Sequence, residues 1–272
     1  MINIYLAKII LLQIFKHMKY EIQKEDQFEY IETKGGEVNV MLLHGLFGSL
    51  SNFNGLLKDF GKRFNIIVPL LPILSAPKDE VGLDGLLKYI NSFVAFKSLR
   101  QLHILGNSLG GHLAQIFALD KPQLISSLVL TGSSGLFENP MGSTWPRRED
   151  YNYVKTKVQS TFYDPAMAKK EMVDEVFSIV NDRAKVIRIV ITAKSAIRHN
   201  LADKLHAIKV PTLLVWGKQD EITPPFVAEK FDELLPDSSL VFINECGHAA
   251  MMEKPQEFNA AYGEFMDKVL KT

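Results

Sequence analysis

The chain alternates between two hydrophobic rhythms. From Tyr20 to Thr33 apolar and polar positions alternate, which predicts a pair of edge strands, with Gly35 and Gly36 supplying the turn. The next apolar run, EVNVMLLHG (37–45), ends in glycine, the pattern of a strand buried on both faces of a parallel sheet. A helix near 51–60 follows, then the apolar FNIIVPLLP (64–72) and an amphipathic helix over about 82–97. The alternation continues with strand LHILG (102–106), helix 109–120 and strand ISSLVLTG (125–132). Much later come strand TLLVWG (212–217), helix 225–235, strand SLVFIN (239–244) and a C-terminal helix from about 255. Strands separated by helices of this length make βαβ units, so the expected fold class is α/β, a mostly parallel central sheet flanked by helices.

Between Ser133 and His206 the strand rhythm disappears. The segment opens with SSGLFENPMGSTWP (133–146) and then shows only helical periodicity, as in AMAKKEMVDEVFSIV (166–180) and RAKVIRIVITAKSAI (183–197). This predicts a helical insertion between two core strands. The expected division is an N-terminal extension over 1–19, a core made of 20–133 and 206–272, and the helical segment 134–205. The extension carries INIYLAKIILLQIF (2–15), apolar enough to resemble a signal or membrane segment. Lys8 interrupts it, it falls short of the roughly 20 residues a spanning helix needs, and no small-residue cleavage site follows. Met18 starts a cleaner sequence, so 1–17 reads as an upstream extension, with a loosely packed amphipathic helix as the alternative.

Composition narrows the partners. A chain of 272 residues with 47% apolar residues can bury a substantial core. Its 31 basic residues balance 31 acidic ones without a long block of like charge, leaving no electrostatic footprint for nucleic acid or an anionic membrane. The expected partner is a small-molecule substrate. Cys246 is the single cysteine, which rules out an intramolecular disulfide and fits a reducing cytoplasm. His17, His199 and His206 show no metal-ligand spacing and H-E-x-x-H is absent, so neither a metal nor a cofactor is expected.

Chemistry concentrates at the strand–helix junction Gly106-Asn107-Ser108-Leu109-Gly110, a G-x-S-x-G pattern. Its glycines allow a sharp turn in which neighbouring backbone approaches closely and the serine hydroxyl stands at the sheet's C-terminal edge. A serine that merely caps the helix is the competing reading. Serine is a poor nucleophile unless a base takes its proton and a third group orients that base. Both partners have candidates beyond later buried strands, Asp220 in LLVWGKQDEITPP and His248 in LVFINECGHAAMMEKP. Glu221 and Glu245 lie in the same loops but fit the orienting role less well.

The motifs HGLFGS (44–49), GNSLGG (106–111), GKQDEITP (217–224) and GHAAMMEKP (247–255) together resemble the α/β-hydrolase fold superfamily over nearly everything after Tyr20. That resemblance implies Ser108 as nucleophile, His248 as general base and then acid, and Asp220 as the group fixing the imidazole tautomer. It implies an oxyanion hole from the backbone N–H groups of Leu109 and Leu46, with Phe47 lining the pocket, and 134–205 as a cap over the site. His44 is expected to brace the oxyanion loop, His112 to pack against the sheet, and Cys246 to be a buried small side chain. Asparagine at 107 and a long helical cap are similar to carbon–carbon hydrolases of meta-ring-fission products. On that comparison Asn107 and a cap arginine, Arg183, contact substrate. Those enzymes typically carry tryptophan after the histidine, where this chain has Ala249, and the stretch PLLPILSAP (69–77) also departs from the family pattern. Serine at 108 argues against haloalkane dehalogenases and epoxide hydrolases, which use aspartate there. Cap aromatics Phe137, Trp145, Phe162, Tyr163 and Phe177 point to a small or medium-sized hydrophobic acyl group. The leading expectation is a carboxylesterase. A carbon–carbon hydrolase is the alternative, and a non-catalytic binding scaffold is an alternative of another class.

Overall fold

The computed structural model describes residues 20–137 and 147–271, so the apolar stretch 2–15 and Trp145 lie outside the described residues. Its centre is an eight-stranded sheet. The strands are β1 (Gln23–Glu25), β2 (Phe28–Glu32), β3 (Asn39–Leu43), β4 (Asn65–Pro69), β5 (Leu102–Asn107), β6 (Ile125–Thr131), β7 (Thr212–Gly217) and β8 (Ser238–Ile243). They lie in the order β1-β2-β4-β3-β5-β6-β7-β8; the pairings from β4 to β8 are parallel, and β1 and β2 are antiparallel additions at one edge. The tight turn between β1 and β2 falls at Asp26 and Gln27, with Asp26 at φ 52. Gly35 and Gly36 lie instead in the β2–β3 connection, against the backbone of Gly61 and Arg63. The aspartate turn escaped notice because a non-glycine residue in the left-handed region is uncommon.

Helices cover both faces. Met41 and Leu43 of β3 point into one core with α2 (Leu83–Phe96), α3 (Leu109–Asp120) and α7 (Pro225–Leu234). Val40 and Leu42, one residue out of phase, point into the other with α1 (Asn54–Phe60) and α9 (Pro255–Val269), which follows the short α8 (Ala250–Glu253). Period two along a strand thus fills two layers, and each fully buried Leu, Ile or Phe contributes about 1.5–3 kcal/mol. Between β6 and β7 the chain contributes α4 (Tyr151–Gln159), α5 (Lys170–Asn181) and α6 (Arg183–Arg198). Asp182 separates the last two: α5 ends at it, and its carboxylate accepts from the N–H groups of Ala184 and Lys185 to start α6.

Register places the functional loops. Leu43 pairs with Gly106, Asn107 with Thr131, and Gly217 with Ile243, so β3, β5, β6, β7 and β8 end along one edge of the sheet. The loops that follow them carry His44, Ser108, Asp220 and His248 toward the same place, the outer C-terminal edge where parallel sheets bind ligands.

Candidate active site

The turn from β5 into α3 is held in a rare backbone state. Ser108 has φ 55 and ψ −122, a conformation that costs an L-residue on the order of 1–3 kcal/mol unless its surroundings impose it. They do impose it. The Ser108 N–H donates to the Thr131 carbonyl (3.1 Å), and the Ser108 carbonyl accepts from the N–H groups of His112 and Ser134. A Cβ on Gly106 would lie 2.4 Å from the Gly110 oxygen, and one on Gly110 would lie 2.0 Å from the Leu43 oxygen. Only glycine lets strand and helix approach this closely. Gly106→Ala is therefore expected to destabilise the fold by at least about 3 kcal/mol, read as a fall in the urea midpoint.

Asp220 and His248 form a buried pair. Asp220 Oδ2 lies 2.9 Å from His248 Nδ1, and the two residues are 3% and 6% exposed. Asp220 Oδ1 also accepts from the N–H groups of Ile222 and Thr223, and Oδ2 from the Thr223 hydroxyl at 2.8 Å. With donors on both of its oxygens the Asp220 carboxylate acts as an acceptor, so the hydrogen between it and the imidazole belongs on His248 Nδ1. The His248 backbone is pinned as well. Its N–H donates to the Thr161 carbonyl (2.8 Å), and its carbonyl accepts from Asn107 Nδ2 (3.3 Å). Glu253 completes the loop, accepting from the Gly247 N–H with one oxygen and from the Asp164 N–H with the other, both at 2.7 Å.

His44 serves the loop between β3 and α1. Its Nδ1–H donates to the Gly45 carbonyl (2.9 Å) and its Nε2 accepts from the Leu71 N–H (3.1 Å), an arrangement that only the neutral ring satisfies. Burial pushes its pKa down to about 4. His112 does not pack solely against the sheet. Its Nε2 lies 3.1 Å from Nδ1 of His199 at the end of α6, joining α3 to the insertion, and burial, with the neighbouring His199 adding to it, lowers its pKa to about 3. Both rings stay neutral when folded but protonate near pH 6.5 when unfolded, so the unfolded chain binds more protons below that pH. Stability is thus complete above pH 6.5 and declines as pH falls toward 4. A melting series from pH 7 to about pH 4.5 should lose on the order of 5 kcal/mol, and His112→Leu should make the slope shallower.

Ser108, Asn107, Leu109, Leu46, Phe47 and His248 all line one cavity of about 300 Å³. Leu109 opens α3, so its N–H has no intrahelical acceptor, and the positive end of the helix faces the same space. The insertion supplies the opposite wall through Val158, Phe162, Met172, Val176, Ala193 and Ile197. Arg183 is elsewhere: it is exposed at the start of α6 and is not among the cavity residues. Among the expected cap aromatics that lie in the described residues, only Phe162 lines the cavity. Phe137 packs on Phe226 with both rings half-exposed, Phe177 packs on Tyr151, and Tyr163 is exposed. Asn107 lines the cavity, but its amide nitrogen is committed to the carbonyls of Thr131 and His248, which makes it a brace between loops. Burial pushes the Cys246 thiol up to about 12, which leaves it inert at neutral pH. No group of three or more His, Cys, Asp or Glu side chains that could hold a metal occurs among the described residues. Sequence reading missed Thr223 and Glu253. Both lie inside the quoted motifs, three residues after Asp220 and five after His248, a position that could have flagged them as partners of Asp220 and of the His248 loop.

A sequence profile of the Alpha/beta hydrolase family matches residues 40–261. The chain belongs to that family. This hydrolase is 39% identical to MGS-MChE2, an alpha/beta hydrolase enzyme from the metagenome of sediments from the lagoon of Mar Chica, Morocco, with a TM-score of 0.75 over 91% of this chain and 98% of that one. It is 24% identical over 289 residues to the monoacylglycerol lipase ABHD6 of Bos taurus, covering 94% of this chain and 83% of the relative. The hydrolase also shares its fold with CumD, a meta-cleavage product hydrolase from Pseudomonas fluorescens IP01, at a TM-score of 0.80 and 19% identity over 91% of this chain and 98% of that one. It is an enzyme. Among its described residues no helix is long and apolar enough to cross a membrane.

Proposed function

We propose that the hydrolase cleaves neutral carboxylic esters with small to medium-sized hydrophobic acyl groups through an acyl-enzyme. The carrying observation is Ser108, strained at φ 55, sharing one cavity with His248, whose Nδ1 is bonded to Asp220. In the proposed mechanism Ser108 Oγ attacks the ester carbonyl carbon while His248 Nε2 takes the hydroxyl proton. The carbonyl oxygen becomes an oxyanion, held by the backbone N–H groups of Leu46 and Leu109. Asp220 stabilises the imidazolium and keeps its Nδ1–H in place. As the intermediate collapses the ester C–O bond breaks, and the alcohol leaves with the proton from Nε2. Water then adds to the acyl carbonyl with His248 again as base, and the carboxylic acid departs as Ser108 recovers its proton.

The apolar wall supports a hydrophobic acyl group, and the relative named a monoacylglycerol lipase supports ester chemistry. A carbon–carbon hydrolase of the meta-cleavage type is the second reading, motivated by Asn107 before the serine. Against it stand the exposed Arg183, outside the cavity, and Ala249 after His248. The lone buried Cys246 supports a reducing, cytoplasmic setting. A fluorophosphonate probe followed by mass mapping tests the nucleophile: the expected adduct is on Ser108 and is lost in His248→Ala. A panel of p-nitrophenyl esters run beside one dienoate ring-fission product separates the two chemistries, and turnover of the dienoate alone would overturn the ester reading.

A further inference from the structure

One residue grips both oxygens of the buried carboxylate. Thr223 donates its backbone N–H to Asp220 Oδ1 (2.9 Å) and its hydroxyl to Oδ2 (2.8 Å). Bonds from a single residue to the two ends of a carboxylate fix its plane, and with it the direction in which Oδ2 faces His248 Nδ1. Thr223 is itself fully buried and firmly held. Its carbonyl accepts from the indole N–H of Trp216 (2.7 Å), a buried side chain of β7 that packs on Phe231 of α7. Pro224 and Pro225 follow it, which restricts the backbone at 223 to extended conformations. The Thr223 hydroxyl oxygen also lies 3.3 Å from His248 Nδ1. With its proton committed to Oδ2, it can offer the ring nitrogen only a lone pair, which favours the tautomer that carries hydrogen on Nδ1 and leaves Nε2 bare.

We propose that Thr223 is a positioning residue for the acid–base pair: its hydroxyl fixes the Asp220 carboxylate against the ring, selects the Nδ1–H tautomer and takes up part of the charge that Oδ2 would otherwise place on His248. The inference rests on the acyl-enzyme reading above and deepens it. Removing the hydroxyl has two opposed effects on the charged ring. Oδ2, freed of a 2.8 Å bond, holds the imidazolium more strongly, and this outweighs the loss of the 3.3 Å contact. Other ionisable groups border the site, namely Glu221 beside Asp220, Glu245 paired with Lys254, Glu253 at the Gly247 N–H, and Lys169, Glu171 and Glu175 of the insertion. They are the same in every variant compared, so their influence cancels.

The test compares Thr223→Val, which keeps the backbone N–H and the shape but loses the hydroxyl, with Thr223→Ser, which keeps both donors. The rate at which a fluorophosphonate probe labels Ser108 is followed from about pH 5 to about pH 9, beside kcat and KM on p-nitrophenyl butyrate. Thr223→Val should move the acid limb of the labelling profile up by about one pH unit. It should also lower kcat on the plateau about tenfold with KM little changed. Thr223→Ser should return the limb to its wild-type place and bring kcat within about threefold of wild type. A limb unmoved or moved down in folded Thr223→Val, whatever its melting temperature, would overturn the positioning role and leave Ser108 as nucleophile. If Thr223→Val does not fold, Thr223→Ala takes its place; failure of both beside a folded Thr223→Ser would assign the hydroxyl to the fold and overturn the proposal too. Folded wild-type protein that takes no label on Ser108 would overturn the acyl-enzyme reading, and this inference with it.

Discussion

Ser108→Ala is expected to lower kcat on ester substrates by a factor on the order of 10⁵ while leaving the melting temperature almost unchanged. The two effects separate for a structural reason. Alanine and serine both carry a Cβ, so both bear the same strain at φ 55, and the bonds that hold the turn are made by the backbone N–H and carbonyl of residue 108. Only the hydroxyl is lost. A variant retaining activity within about tenfold of wild type would remove Ser108 from the mechanism, and a melting temperature lowered by ten degrees or so would mean that the loss of activity came from the fold.

Asp220→Asn should be nearly as damaging to turnover, about 10⁴-fold in kcat, and should also reduce stability. Asp220 receives N–H donors from Ile222 and Thr223, a hydroxyl from Thr223 and the ring nitrogen of His248. An asparagine offers one oxygen for this set and places an NH2 group against another donor. Where the oxygen faces the two backbone N–H groups, the NH2 faces Nδ1, so the ring proton moves to Nε2 and His248 can no longer accept from Ser108. The Thr223 hydroxyl can turn to accept from the NH2 but loses the charged acceptor it donates to, an exchange costing about 1–3 kcal/mol. A pH–rate profile with thermal melts on the same variant reads both effects, and kcat within tenfold of wild type would argue that Asp220 does not set the tautomer.

Different parts of this molecule were legible to different degrees. The β5–α3 junction was legible to the residue, because a strand that must stop at a serine between close-packed glycines leaves the helix one place to begin, at Leu109. The parallel strands were legible because burial on both faces writes unbroken apolar runs. The contact between Asp220 and His248 was legible because the loops that carry them follow neighbouring strands that end on one edge, the buried β7 and the half-buried edge strand β8. The insertion was harder. Its helices have periodic apolar faces, but whether such a face meets the sheet or the cavity is decided by tertiary packing, so Met172 and Val176 passed unnoticed while exposed Tyr163 and Arg183 drew attention. Asn107 shows the same limit: its neighbours Thr131 and His248 are 24 and 141 residues away.

Glu253 has a practical meaning for anyone wishing to re-engineer this enzyme. With one oxygen on Gly247 and the other on Asp164, and with the His248 N–H on the Thr161 carbonyl, it rivets the insertion's 161–164 loop to the loop that carries His248. The insertion is therefore not a free module that can be swapped onto the sheet to change substrate range. A graft that keeps His248 in register has to carry residues 161–164 and position 253 together, as one transplanted part.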